Sequence, residues 1–306
     1  MRFAQNGTVF EVELVRDGLE VVELRHGPTE SDERRSFASE RLANRAYHER
    51  IAELVEIGWD RRSGCETVED PGAPELVAAM AAFEPDAVAV YTDLLLERGD
   101  PRGELATLHM LPRDAAVTNR IAQLEQDHGC ELFGPLATLP QGYRDQYAFG
   151  YTAGWVSSIE LRYHWSVPKA DERSTLYFLI HAPVTRFVHT LALDGHYANA
   201  ALRLGCEHLA RIRSLRLSST DSQAVLDVFP GLEHLEVPYG AFRGHPSVRH
   251  ITLAATNSGT VQLAGSWPSL ERVTIEHVKP LDQRALRTFE SDLERRGVTL
   301  EIHVAQ

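Results

Sequence analysis

The feature that most constrains this chain is a six-residue pattern, apolar-x-x-apolar-x-apolar, recurring through its C-terminal half. It reads Val156-Ser157-Ser158-Ile159-Glu160-Leu161, then Val188–Leu193, Ile212–Leu217, Leu232–Val237, Val248–Leu253 and Leu270–Ile275, with Gly297–Ile302 closing the series. From Ile212 onward the offsets are 20, 16 and 22 residues. One short strand and its return cannot bury their apolar positions alone, whereas stacked neighbours make a continuous core. An ordinary open sheet of parallel strands is the alternative. The short returns at 238–247 and 254–269 count against it, because a crossover helix needs about a dozen residues. Helices are expected between strands at 172–182, 198–209 and 221–228, with a last one at 281–295 before a capping strand. The fold class is therefore α/β.

Strand alternation sends the third and fifth positions of each hexad to one face. These are Ser158 and Glu160, Thr190 and Ala192, Ser214 and Arg216, His234 and Glu236, His250 and Thr252, Arg272 and Thr274. The offsets fall near the lower end of the roughly 20–29 residues of leucine-rich repeats, and residues 150–306 resemble a degenerate array of that family. The ladder asparagine of that family is absent, with Ser218, Pro238, Ala254 and Glu276 in its neighbourhood. The resemblance implies a short solenoid whose concave face binds a partner. The expected partner-binding residues are Glu160, Thr190, Ser214, Arg216, His234, Glu236, His250, Thr252, Arg272 and Thr274.

Upstream, Thr8–Leu14 and Leu19–Leu24 alternate as strands around an Arg16-Asp17-Gly18 turn. A polar stretch from Gly27 to Arg35 follows, then Ser39 as the N-cap of a helix carrying Leu42, Ala43, Ala46, Ile51, Leu54 and Val55 at helical spacing. With a Gly58-Trp59 exit, residues 1–62 resemble a WGR domain. Arg25-His26-Gly27-Pro28 stands where the naming motif is expected, so the resemblance implies the fold more than the nucleic-acid contacts of that family. Nucleic-acid binding through this segment is the alternative function.

Residues 63–74 read as a linker rich in acids and breakers. Helices are expected over 75–83, 85–98 and a third carrying Leu105, Leu108 and Leu111. Between the last two, Gly99 suits a left-handed C′ position, Asp100 an N-cap and Pro101 the first helical position. A further helix over 114–127 and a Leu132–Leu136 exit follow. The run Tyr91-Thr92-Asp93-Leu94-Leu95-Leu96-Glu97-Arg98-Gly99-Asp100-Pro101-Arg102-Gly103-Glu104 resembles the signature of the bacterial repeat-companion domain, with a leucine for its tryptophan. The match covers residues 73–140 and implies a helical companion to a repeat array, with no chemistry attached.

Charge narrows the function further. The 306 residues carry 31 basic and 44 acidic side chains. Residues 1–62 hold 10 and 13 of them, residues 63–150 hold 5 and 15, and residues 151–306 are balanced at 16 and 16. No segment has the positive field that phosphate binding needs, which argues against nucleic acid. The acidic helices are instead expected to steer a basic partner protein encoded nearby. Only Lys169 and Lys279 are lysines. No phosphate loop, H-E-x-x-H pair, nucleophile elbow or dinucleotide turn occurs, so no catalytic, cofactor or metal residues are expected and the chain reads as a non-enzyme. His234 and His250, about 5 Å apart on neighbouring strands, lack further metal ligands. His128-Gly129-Cys130 reads as a helix terminus. Three cysteines far apart, no apolar run long enough to span a bilayer and no signal-peptide pattern point to the cytoplasm.

Overall fold

The computed structural model describes residues 2–4, 11–17, 19–26, 31–56, 60–63, 72–138, 146–162, 172–218, 223–238, 242–255, 266–277 and 283–304. Gly27-Pro28, the Gly58-Trp59 exit, Cys65 with most of the linker, Lys169 and Lys279 lie outside the described residues. The protein is a mixed α/β chain with a small antiparallel sheet, a larger, mostly parallel sheet, and helices. It divides into two compact units, residues 1–157 with 164–187, and residues 158–163 with 188–306.

In the first unit, β1 (Arg2–Ala4), β2 (Glu11–Asp17), β3 (Glu20–His26), β4 (Ser31–Ser36) and β5 (Asp60–Ser63) form a sheet ordered β4-β3-β2-β1-β5, every pair antiparallel. The polar stretch preceding the helix is thus partly a strand, which alternation of apolar residues could not reveal. All six β4 side chains are exposed, and charge on an edge strand deters further pairing. Helix α1 (Glu40–Glu56) starts where expected, with the Leu42 N–H donating to Ser39 Oγ over 3.3 Å. It buries Ala43, Tyr47, Ile51 and Leu54, while Leu42 stays exposed. Glu23 on β3 is buried, a position the alternation assigns to an apolar side chain. Arg50 Nε and Arg25 Nε each donate to its carboxylate at 2.8 Å. Burial raises its pKa, but the two guanidinium partners outweigh it and hold the carboxyl below its usual range.

Helices α2 (Pro74–Ala81), α3 (Pro85–Glu97), α4 (Pro101–Met110) and α5 (Ala115–Phe133) follow. The Gly99–Glu104 motif is explained residue by residue. Gly99 takes φ +69°, Asp100 Oδ1 accepts the Arg102 N–H at 2.9 Å, and Pro101 opens the helix. Gly103 lies so close to α3 that an added Cβ would sit 2.9 Å from the Leu96 nitrogen, so this crossing needs glycine. Glu104 accepts from Arg120 Nη2 on α5 at 2.9 Å. Tyr91, at the head of the motif, is fully buried. It forms a triangle of edge-to-face rings with Trp155 and Phe187, whose centroids lie 5.4–5.5 Å apart. The Trp155 N–H is satisfied by Thr92 Oγ1 at 3.2 Å. Trp155 sits at the foot of a hairpin, β6 (Tyr147–Thr152) into β7 (Trp155–Leu161), joined by Ala153 and Gly154, both at positive φ. Such a two-residue turn matches the twist of the strands it joins. Helix α6 (Glu172–His181) completes this unit, so residues 150–157 and 172–187 fall here although the repeat pattern alone groups them with the C-terminal hexads.

The second unit holds the hexads. The end of β7, β8 (Thr190–Leu193), β9 (Ser214–Leu217), β10 (His234–Val237), β11 (His250–Ala255), β12 (Arg272–His277) and β13 (Thr299–Val304) pair parallel in chain order. Helices α7 (Gly195–Leu204), α8 (Cys206–Leu209), α9 (Gln223–Asp227) and α10 (Gln283–Arg295) lie between strands. From β8 to β12 the first, fourth and sixth hexad positions are buried without exception. The last hexad departs from this: Val298 takes the buried place before the strand, and Ile302 is 41% exposed on the terminal strand. The short returns are stitched by serines. Ser247 Oγ donates to the Leu232 carbonyl at 2.6 Å, and Ser269 Oγ to the Pro246 carbonyl at 2.7 Å.

The two glycines at helix and hairpin turns separate strain from crowding. A Cβ at Gly99 meets nothing within 4 Å, whereas one at Gly154 would overlap the Ala106 carbonyl. We expect Gly99→Ala to cost about 1–2 kcal/mol, the left-handed penalty alone, and Gly154→Ala roughly 3 kcal/mol or more once overpacking is added. Urea unfolding of the two variants checks the order.

Candidate functional site

The strand register assembles the candidate residues into two rows. Ser158, Thr190, Ser214, His234, His250, Arg272 and Thr299 are neighbours across seven strands. Glu160, Ala192, Arg216, Glu236, Thr252, Thr274 and Glu301 form the row beside them. All ten residues expected from the sequence stand in these rows. Every member is partly or fully exposed, while the alternating positions are buried on every strand but the last.

Charges in the second row are locally compensated. Arg216 Nε meets Glu236 at 2.7 Å, Arg162 meets Glu160 at 2.6 Å, and Arg272 reaches Glu301 at 3.5 Å. The Arg216 guanidinium is pushed above its usual value by the hydrogen bond to Glu236. In the first row the His234 and His250 rings meet edge to face with centroids 5.0 Å apart. Burial, then His234 and Arg272, hold the His250 imidazole below its ordinary value. Arg162, Thr299 and Glu301 are additions to the expected set. The last two occupy the third and fifth places of the closing hexad, so the pattern contained them. A further ladder runs along the N-terminal ends of the strands, with Arg213 3.9 Å from Glu233 and Arg249 3.7 Å from Glu271.

The first unit contains a separate cavity of about 810 Å³ between α1 and α5, lined among others by Arg45, Glu49, His128, Cys130 and Glu131. Four of its polar groups are paired, Arg45 with Glu49 at 2.8 Å and His128 with Glu131 at 2.9 Å. His128 marks a kink (φ −123°, ψ 20°) inside α5. The helix expected to stop at 127 therefore bends there and continues to Phe133. Cys130 and Cys206 are free thiols. Among the described residues no group of three or more His, Cys, Asp or Glu side chains is placed to hold a metal ion, and no helix is long and apolar enough to cross a membrane.

No protein-family model and no curated protein matches this chain. Among solved structures, a protein from Bacteroides fragilis aligns over 98% of this chain and 73% of its own length at 11% identity, with a TM-score of 0.35. A likeness that weak carries no argument about fold or function.

One titrating group is predicted to affect stability. His109 stacks on Tyr151 with ring centroids 3.7 Å apart, and Arg113 Nη2 donates to its Nδ1 at 2.6 Å. Burial, helped by Arg113, pulls its pKa down to about 4, against about 6.5 in an unfolded chain. The unfolded state thus takes up this proton first on acidification. Stability linked to His109 is complete above about pH 6.5 and is lost as pH falls through about 4. Denaturant unfolding across that window should show a shallower loss in His109→Phe, which keeps the stack without the titration. Equal slopes would place the proton uptake elsewhere.

Proposed function

We propose that this chain is a non-enzymatic protein-interaction module that engages a partner protein through the outward rows of its parallel sheet. The observation carrying this reading is a parallel sheet with one polar face open. Parallel sheets of ordinary α/β domains are covered on both faces and read as continuous apolar runs. The strands here alternate, burying one face and leaving Ser, Thr, His, Arg and Glu on the other. Repeat arrays solve the packing problem this way and use the open face for recognition. The short returns and the strictly sequential strand order support a degenerate leucine-rich-repeat solenoid over the second unit. The WGR-like and companion segments would then be its folded N-terminal attachments, with the acidic α2–α5 region acting on the approach of a partner.

A photo-crosslinking residue placed at Ser214 or Thr274 should yield a protein adduct in the native host, and one placed at Glu207 should not. Changing Arg216, His234, Glu236 and His250 together to Ser should reduce that adduct at least about tenfold, as loss of an interface centre does, with an unchanged unfolding midpoint. An adduct undiminished in the quadruple variant would falsify the outward rows as the interface.

A further inference from the structure

The two outward rows differ in chemistry. In the row Ser158, Thr190, Ser214, His234, His250, Arg272 and Thr299, every side chain can donate a hydrogen bond and none is a carboxylate. The carboxylates stand one row away, and each already has an arginine: Glu160 has Arg162, Glu236 has Arg216, and Glu301 has Arg272. Those flanking the N-terminal side, Glu233 and Glu271, lie near Arg213 and Arg249. Among the described residues no hydrogen bond or ion pair engages the His234 or His250 imidazole. Beyond the second row, Ala254, Glu276 and His303 break the pattern and bound the surface.

From this geometry we infer that the donor row is a docking track for an extended, carboxylate-bearing segment of the partner protein, laid across the strands and centred on His234, His250 and Arg272. The inference rests on the interaction reading above. Strands about 4.8 Å apart put His234 and Arg272 roughly 10 Å from each other, close to one three-residue turn of a polyproline II segment at about 3.1 Å per residue, which returns every third side chain to the same face. An acidic side chain at each of those two places would reach a donor, the unengaged His234 imidazole at one and at the other the Arg272 guanidinium, which keeps further N–H groups beside its 3.5 Å contact with Glu301, with His250 between them. The seven strands span roughly 29 Å, about nine extended residues. Bulk acidity of the α2–α5 region acts on approach and is screened over about 10 Å, whereas the track acts at contact. The contacting segment is therefore acidic, and not basic as the overall charge suggests.

The track also carries its own titration. His250 faces His234, Arg272, Glu271 and Glu301, and its depressed pKa means that the proton is gained only on acidification or when an anion arrives. Binding of an acidic segment takes up protons and tightens as pH falls.

The test titrates the full chain with a nine-residue peptide carrying Glu at every third position and Ser between, followed by anisotropy and by the imidazole proton resonances. Gln and Lys counterparts serve as controls. The Glu peptide is expected to bind about tenfold tighter at pH 5.5 than at pH 7.5, to raise the titration midpoint of His250, and to lose its pH dependence in His234→Gln/His250→Gln. Equal binding of the Gln peptide, tighter binding of the Lys peptide, or an unchanged pH dependence in the double variant overturns the inference. If the Glu peptide fails while photo-crosslinks from Ser214 persist, the acidic track falls and the interaction face stands. If both are lost, the face itself is wrong.

Discussion

The in-register parallel pairing of the hexads is the constraint on which the second unit depends. Because side chains alternate along a strand, a slip of one residue would exchange the two faces. Leu191, Leu215, Leu235, Ile251 and Val273 lie in one buried row, and that row locks the register. The outward rows are a consequence of it. His234 meets His250, and Arg216 meets Glu236, because the leucines beside them leave only one way to align.

The returns between strands are shorter than ordinary crossovers, and their polar backbone has to be satisfied locally. The N–H groups of Glu233, Arg249 and Glu271 donate to the carbonyls of Arg213, Glu233 and Arg249 at 2.8–2.9 Å, extending the ladder beyond the strands. Serine hydroxyls supply the next bonds. Gln223 adds another by donating to the Gly244 carbonyl and accepting from the Arg243 N–H, each at 2.8 Å. This explains the recurrence of Pro230-Gly231-Leu232, Pro246-Ser247-Val248 and Pro268-Ser269-Leu270 before successive strands. Where glycine replaces serine, Arg213 Nη1 donates to the Gly231 carbonyl instead, at 3.0 Å.

Legibility in the sequence tracked how local the cause was. The caps at Ser39, Gly99 and Asp100 depend on a few neighbouring residues and could be read directly. The alternating hexads disclosed both faces of the strands, and with them every residue of the candidate face except Arg162; Thr299 and Glu301 stand in the closing hexad but were not among the expected residues. Strand β4 was not legible, because its residues bury nothing and exist as a strand only through pairing with β3. The hairpin Tyr147–Leu161 was half legible: its second strand carries a hexad, but its first shows no clean alternation. Gly103 has no local reason to be glycine; the reason is the backbone of α3 lying against it.

By itself the sequence determined most of the helices, the hexad strands, the face each hexad residue takes and the uneven distribution of charge, since all of these follow from side-chain spacing and local backbone preference. The tertiary structure alone decided which residues share a row, which carboxylates find an arginine, and that Trp155 and Phe187 close on Tyr91. Apart from the Arg162–Glu160 pair, those outcomes depend on contacts between residues 16 to 96 positions apart, and only the packing of the strands and helices sets such distances.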